Sequence, residues 1–131
     1  MQTAAATEFE ELVRFHQEHN ERFFNGHPEL EHWAHDESIT LHGGFGFSAK
    51  GWQEVRPGLI RAAARLSEGR ATFTPLGGQV VGDIAYLVGS EEAIVRLDGG
   101  EPRPMKLKVT MVFRRQDGRW VCVHRHGEML R

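Results

Sequence analysis

This 131-residue chain has one cysteine, one tyrosine and five prolines, and neither sign of charge dominates. A lone Cys122 cannot close an intramolecular disulfide, which fits a reducing cytoplasm. Set between two valines, it reads as an inert buried thiol rather than a nucleophile. No apolar stretch approaches the ~20 residues of a membrane-spanning helix, and Met1 to Thr7 has no basic start followed by an apolar core. Neither a membrane span nor export by a signal peptide is expected, and the protein is placed in the cytoplasm. With 16 basic and 18 acidic residues mixed along the chain, the formal charge is −2 and no basic patch stands out. Nucleic acid, which is held by clustered Lys and Arg, is therefore not an expected partner. Repeats and low-complexity segments are absent, and the length suits one domain over residues 1–131, with 1–6 fraying.

Alternating hydrophobicity is abundant in the second half. Residues 105–128 form two such runs hinged at Asp117-Gly118, a strong hairpin signal. A three-residue loop, Gln116-Asp117-Gly118, sets Met111 opposite Val123 and Val109 opposite Arg125. It gathers Leu107, Val109, Met111, Phe113, Val121 and Val123 on one apolar face with Arg125 at its end. A two-residue turn at Asp117-Gly118 instead brings His124 and His126 to that face, because one residue of slip inverts a strand. The three-residue loop is preferred, since it separates apolar from polar side chains more cleanly. Upstream, Ala71 to Val81 and Ile84 to Leu97 read as two more long strands, and the short connections make all four antiparallel neighbours.

The first half is helical in period. Phe9, Leu12, Val13, His16, Asn20, Phe23 and Phe24 make the stripe of an amphipathic helix, with Thr7 as its cap and Gly26 as its stop. Glu29 to Ala34 suits a short second helix, and Ser38 to His42 a strand. The Gly43–Phe47 run suits a bulge or tight turn rather than a phosphate cradle, since no Gly-Lys-Ser/Thr ending follows. A third helix is expected from about Lys50 to Ser67, capped by Ser48 and kinked near Pro57.

The order helix, helix, strand, kinked helix, four antiparallel strands resembles the nuclear transport factor 2-like (NTF2-like) superfamily. Gly51-Trp52, Val112-Phe113-Arg114-Arg115, Asp117-Gly118-Arg119-Trp120 and Val123-His124-Arg125-His126 are similar to SnoaL-like, or DUF4440-type, members. The terminal hairpin also resembles the association domain of calmodulin-dependent kinase II. The resemblance implies an α+β conical barrel, with a curved, mostly antiparallel sheet wrapped on about three N-terminal helices. It also implies a hollow between sheet and helices, and a homodimer through the outer sheet face. It does not fix a reaction, because the fold hosts isomerases, dehydratases, cyclases, hydrolases and association modules.

The superfamily's steroid isomerases use an Asp base with Tyr and protonated Asp donors, a set with no counterpart here. Tyr86 is the only tyrosine, and Asp83, Asp98 and Asp117 are turn residues. A position that carries an arginine in the kinase association pocket is Met111. What remains for proton transfer is His16, His42 and Arg125 as candidate catalytic groups, with Trp52, Phe73, Tyr86, Met111 and Phe113 as ligand-binding walls. Arg125 could anchor a carboxylate or enolate. His16 has a plainer reading as a core-edge histidine bonded to backbone. His124 and His126 share a strand face with Glu128 as a local third group, but read as hydrogen-bonded neighbours rather than a metal site. The expected ligand is a small hydrophobic or acidic molecule, without a metal or cofactor. The expected activity is proton transfer of the isomerase, cyclase or dehydratase type, with a non-catalytic association or ligand-sensing module as the alternative.

Overall fold

A computed structural model describes residues 4–130. Two helices, α1 (Ala4–Phe23) and α2 (Trp52–Ala64), accompany six strands: β1 (Thr40–His42), β2 (Ser48–Lys50), β3 (Leu66–Val81), β4 (Ile84–Leu97), β5 (Pro102–Gln116) and β6 (Arg119–Met129). They form one curved sheet in the order β2-β1-β6-β5-β4-β3. All neighbours are antiparallel except β1 and β6, which run parallel. The expected second helix is a single 3-10 turn, Leu30–His32.

The third helix is shorter than the sequence reading at both ends. Ser48 does not cap it; Ser48–Lys50 pairs with β1, and Gly51, at φ 78°, turns the chain from strand into helix. Glu54 then reaches back to accept the Lys50 N–H at 3.0 Å, satisfying a donor just before the first turn. At the other end Leu66 already belongs to β3, which bulges between Ser67 and Arg70 and continues.

The terminal hairpin corrects the expected loop and part of the expected apolar face, since Val121 pairs with Arg114 rather than with an inner-face residue, while Arg125 stays inward. Gln116 pairs with Arg119, so the loop is the two-residue Asp117-Gly118 turn, both residues at positive φ as a type I′ turn requires. That turn alone would turn Arg125 outward. A β-bulge prevents it: Phe113 pairs with Cys122 while Val112 pairs with His124, so Val123 has no partner and the alternation shifts by one. Beyond the bulge Arg125 lies opposite Met111, on the inner face, and Cys122 lies inward opposite Phe113.

The core fills the space between this inner face and the helices. Leu87, Val95, Val109, Met111 and Phe113 from the sheet meet Leu12, Val55 and Leu59 from the helices and Phe24 just past the end of α1, all buried. Helix α1 is fastened to the edge strand β3 by amide side chains that imitate a missing strand. Gln17 accepts from the Phe73 N–H at 2.5 Å and donates to the Ala71 carbonyl at 3.1 Å. Asn25 makes the same two-way pairing with Gly69, at 2.8 and 3.1 Å. These pairings fix the height and rotation of α1, and with them the position of His16.

Candidate functional site

Along β4 the residues facing inward are Ala85, Leu87, Gly89, Glu91, Ala93 and Val95. Glu91, 1% exposed, is thus a carboxylate placed on an apolar row. Its compensation comes from two strands away. Arg125 on β6 donates Nη2 to Oε1 at 2.6 Å and Nη1 to Oε2 at 2.7 Å, a two-point pair of the strong, charge-assisted kind. The guanidinium has room to cross because the inner row between them is Gly89–Val109–Gly127. A Cβ at Gly127 would stand 3.3 Å from Arg125 Nη2. A Cβ at Gly89 would strike the Phe73 ring, at 2.7 Å.

His16 completes the group from above, with Nε2 2.8 Å from Glu91 Oε2 and its ring edge-on to Phe73 at 4.7 Å. Burial lowers the His16 pKa below 6.5 despite the carboxylate contact, which raises it. The physical reason is that Arg125 already neutralises Glu91, so a proton on buried His16 would lack an uncommitted counter-charge. For Glu91, burial works to raise the pKa, but the Arg125 charge and the hydrogen bonds of Arg125 and His16 prevail and hold it well below the usual carboxylate range. An ionised Glu91 beside a neutral His16 fixes the tautomer: Nε2–H donates to the carboxylate, and Nδ1 is left unprotonated.

Beside this group lies a cavity of about 80 Å³, lined by His16, Asn20, Phe23, Met111, Phe113 and Arg125 among others. Asn20 is 4% exposed, and its Nδ2 has no hydrogen-bond partner among the described residues. A buried amide donor without an acceptor is costly and uncommon. Cys122 also lines the cavity; burial pushes its pKa up to about 12, so its thiol stays protonated and unreactive near neutrality.

The structure therefore unites His16 with Arg125, and sets Met111 and Phe113 in the same cavity wall with Phe73 against the His16 ring. Three expected pocket positions are corrected. His42 is exposed, on the outer face, where its Nδ1 meets Ser48 Oγ at 2.8 Å; its neighbour Leu41 is the inward residue of β1. Tyr86 is 44% exposed on the outer face opposite Val112, because inward positions of β4 are odd-numbered. Trp52, at the start of α2, stacks on His35 at 4.0 Å outside the cavity lining. Glu91 and the unpaired Asn20 amide are the groups the sequence reading did not single out as functional.

On the outer face His42 lies 5.0 Å from His126 and 6.0 Å from His124 between ring centroids, and His124 Nδ1 meets Thr40 Oγ1 at 2.7 Å. No helix among the described residues is long and apolar enough to cross a membrane.

A conical α+β fold with a polar group buried under an N-terminal helix defines the class, and comparison gives the family. The SnoaL-like domain model matches residues 7–130, and the chain belongs to that family. No functionally curated protein matches it. Among solved structures it is similar to the association domain of CaMKII from C. elegans, at 19% identity and TM-score 0.72, covering 97% of this chain and 99% of that one. It is also similar to an NTF2-like protein of unknown function from Shewanella oneidensis, at 20% identity and TM-score 0.69, covering 92% and 98%. A third is a candidate dehydratase of the NTF2-like family from Streptomyces avermitilis, at 19% identity and TM-score 0.72, covering 92% and 93%. At these identities the likeness is one of fold.

Proposed function

We propose that this SnoaL-like protein binds a compact, neutral, carbonyl-bearing molecule in the cavity under α1 and exchanges a proton with it through His16. The observation that carries this reading is the enclosed, unpaired Asn20 Nδ2 beside a histidine whose tautomer is set by Glu91. Asn20 supplies a donor for the carbonyl oxygen, and His16 Nδ1 is the basic atom left for an acidic C–H. Arg125 is the positioning residue: its charge is neutralised by Glu91 through both Nη atoms, so the pair offers an incoming carboxylate no net positive charge. This favours a neutral ligand over an acidic one.

Size narrows the ligand further. A volume of about 80 Å³ accommodates on the order of six non-hydrogen atoms, far below the ~300–1,000 Å³ of pockets for drug-sized molecules. Steroids and fused aromatic rings do not fit without movement of α1.

The test is a thermal-shift screen with small ketones, aldehydes and amides, in wild type and Asn20→Leu. Compounds that raise the wild-type melting point and leave Asn20→Leu unmoved support the reading, because stabilisation follows occupancy of the folded state. Wild type showing no response, or an equal response in both, removes it. For a ketone hit, deuterium uptake next to the carbonyl that is lost in His16→Gln separates proton exchange from simple binding.

A second reading, a dimerising association module, is favoured by the outer face of β4, where Ile84, Tyr86 and Ile94 are 46%, 44% and 52% exposed. Facing a second copy across a two-fold axis would bury that row. The fold it shares with the association domain of CaMKII points the same way. Sedimentation giving only a 14.8-kDa species at micromolar concentration removes this reading.

A further inference from the structure

At the outer end of the same cavity, the last turns of α1 meet the Pro28–Trp33 segment, and two histidines and a glutamate converge there. His19, Glu29 and His32 each present one ligating atom, all within 4.8 Å of one another. The His19 and His32 rings are 3.8 Å apart between centroids, and His32 Nε2 is 3.8 Å from Glu29 Oε2. We infer that these three side chains form a binding site for a divalent transition-metal ion, with an open coordination position facing the cavity.

Three observations point to a metal rather than to a chance surface grouping. Two imidazoles and one carboxylate are a donor set that suits zinc and its first-row neighbours, with three protein ligands leaving room for a water or substrate atom. The atoms next to the proposed ligands are already committed elsewhere. His19 Nδ1 donates to the Phe15 carbonyl at 2.5 Å, leaving Nε2 for a metal, and Arg22 Nη1 donates to Glu29 Oε1 at 3.1 Å, leaving Oε2. Such outer contacts orient the ligands of metal sites. Finally, Glu29 sits at φ 51°, a left-handed conformation unusual for a residue with a side chain, at the start of the 3-10 turn that places His32 three residues on. Bond lengths of ~2.0–2.1 Å set tetrahedral ligands roughly 3.4 Å apart, so Glu29 Oε2 and His32 Nε2, at 3.8 Å, have to draw together while the closely spaced His19 and His32 rings splay to point both nitrogens at one ion.

The site stands apart from His16 chemistry, although an ion there would border the same cavity. The competing explanation for any metal uptake is the outer-face histidine group, and the experiment separates the two. Zinc titration by calorimetry and cobalt titration by visible absorption are run on wild type, His32→Gln, Glu29→Gln and the outer-face pair His124→Ala/His126→Ala, with folding verified by circular dichroism. The expected result is one equivalent bound by wild type and by the outer-face variant, with affinity falling at least about tenfold in each of the other two. No binding of either ion at about 100 µM, unchanged affinity in His32→Gln and Glu29→Gln, or loss confined to the outer-face variant overturns the assignment.

Discussion

Arg125–Glu91 and Arg65–Asp98 are both two-point guanidinium–carboxylate pairs, the first end-on through Nη2 and Nη1 at 2.6 and 2.7 Å, the second side-on through Nη2 and Nε at 2.9 and 3.1 Å. Their settings differ completely. The Arg65 and Asp98 side chains are 42% and 56% exposed, where water solvates both ions whether or not they meet. Glu91 is 1% exposed on the inner face of the sheet, where each ion depends on the other and His16 takes the remaining contact. The pair at the surface is an option; the pair inside is an obligation. A fold that spends core volume on an obligatory charge pair, and leaves an amide donor unpaired beside it, keeps polarity where an aliphatic core would be simpler.

The largest break in the comparison comes from Arg125→Ala, which leaves Glu91 buried and unpaired and should cost about 3–5 kcal/mol of unfolding free energy by denaturant melts. Replacing both partners, Glu91→Leu with Arg125→Met, should recover stability to within about 1 kcal/mol of wild type, because a well-packed apolar pair can stand in for a buried ion pair. Failure of the double replacement to recover would mean the pair organises the core in some further way. Asn20→Leu should raise stability by roughly 1 kcal/mol while abolishing ligand response, since it removes an unsatisfied buried donor.

A smaller effect is expected from pH. The folded-state pKa of His16 lies below 6.5, so between that value and 6.5 the unfolded chain carries the extra proton and stability falls as the pH is lowered through this window. His16→Gln should therefore show a shallower loss of stability on acidification from pH 7 than wild type, and an equal slope would contradict the assignment. The smallest effect is Asp98→Ala, whose melting midpoint should match wild type within error, as exposed pairs contribute little.

Much of this was legible in the residues, and the parts that were not have definite causes. The helix stripe placed His16 and Asn20 on one face, and alternation in β5 gave the apolar row from Leu107 to Phe113. The inward position of Arg125 was anticipated on the wrong turn: a two-residue loop plus a bulge at Val123 has the same parity as a three-residue loop, and only coordinates tell them apart. Glu91 was readable, since alternation through Leu87, Gly89 and Ala93 turns it inward, but a search for interior aspartates passes over it. Its partner two strands away could not be read, because no local pattern shows that Gly127 clears the path for a guanidinium. Tyr86 and His42 were misplaced by one residue of parity, the smallest error a strand allows and one that reverses its face.

The account rests on His16 being a neutral imidazole whose proton sits on Nε2, held by an ionised Glu91. Long-range nitrogen–proton NMR of the histidine rings reads this directly at pH 7. The expected spectrum shows His16 as the Nε2–H tautomer, with a titration midpoint below 6.5 that drops further in Glu91→Gln as the carboxylate's raising influence is lost. A doubly protonated ring at pH 7, or a proton on Nδ1, would contradict it.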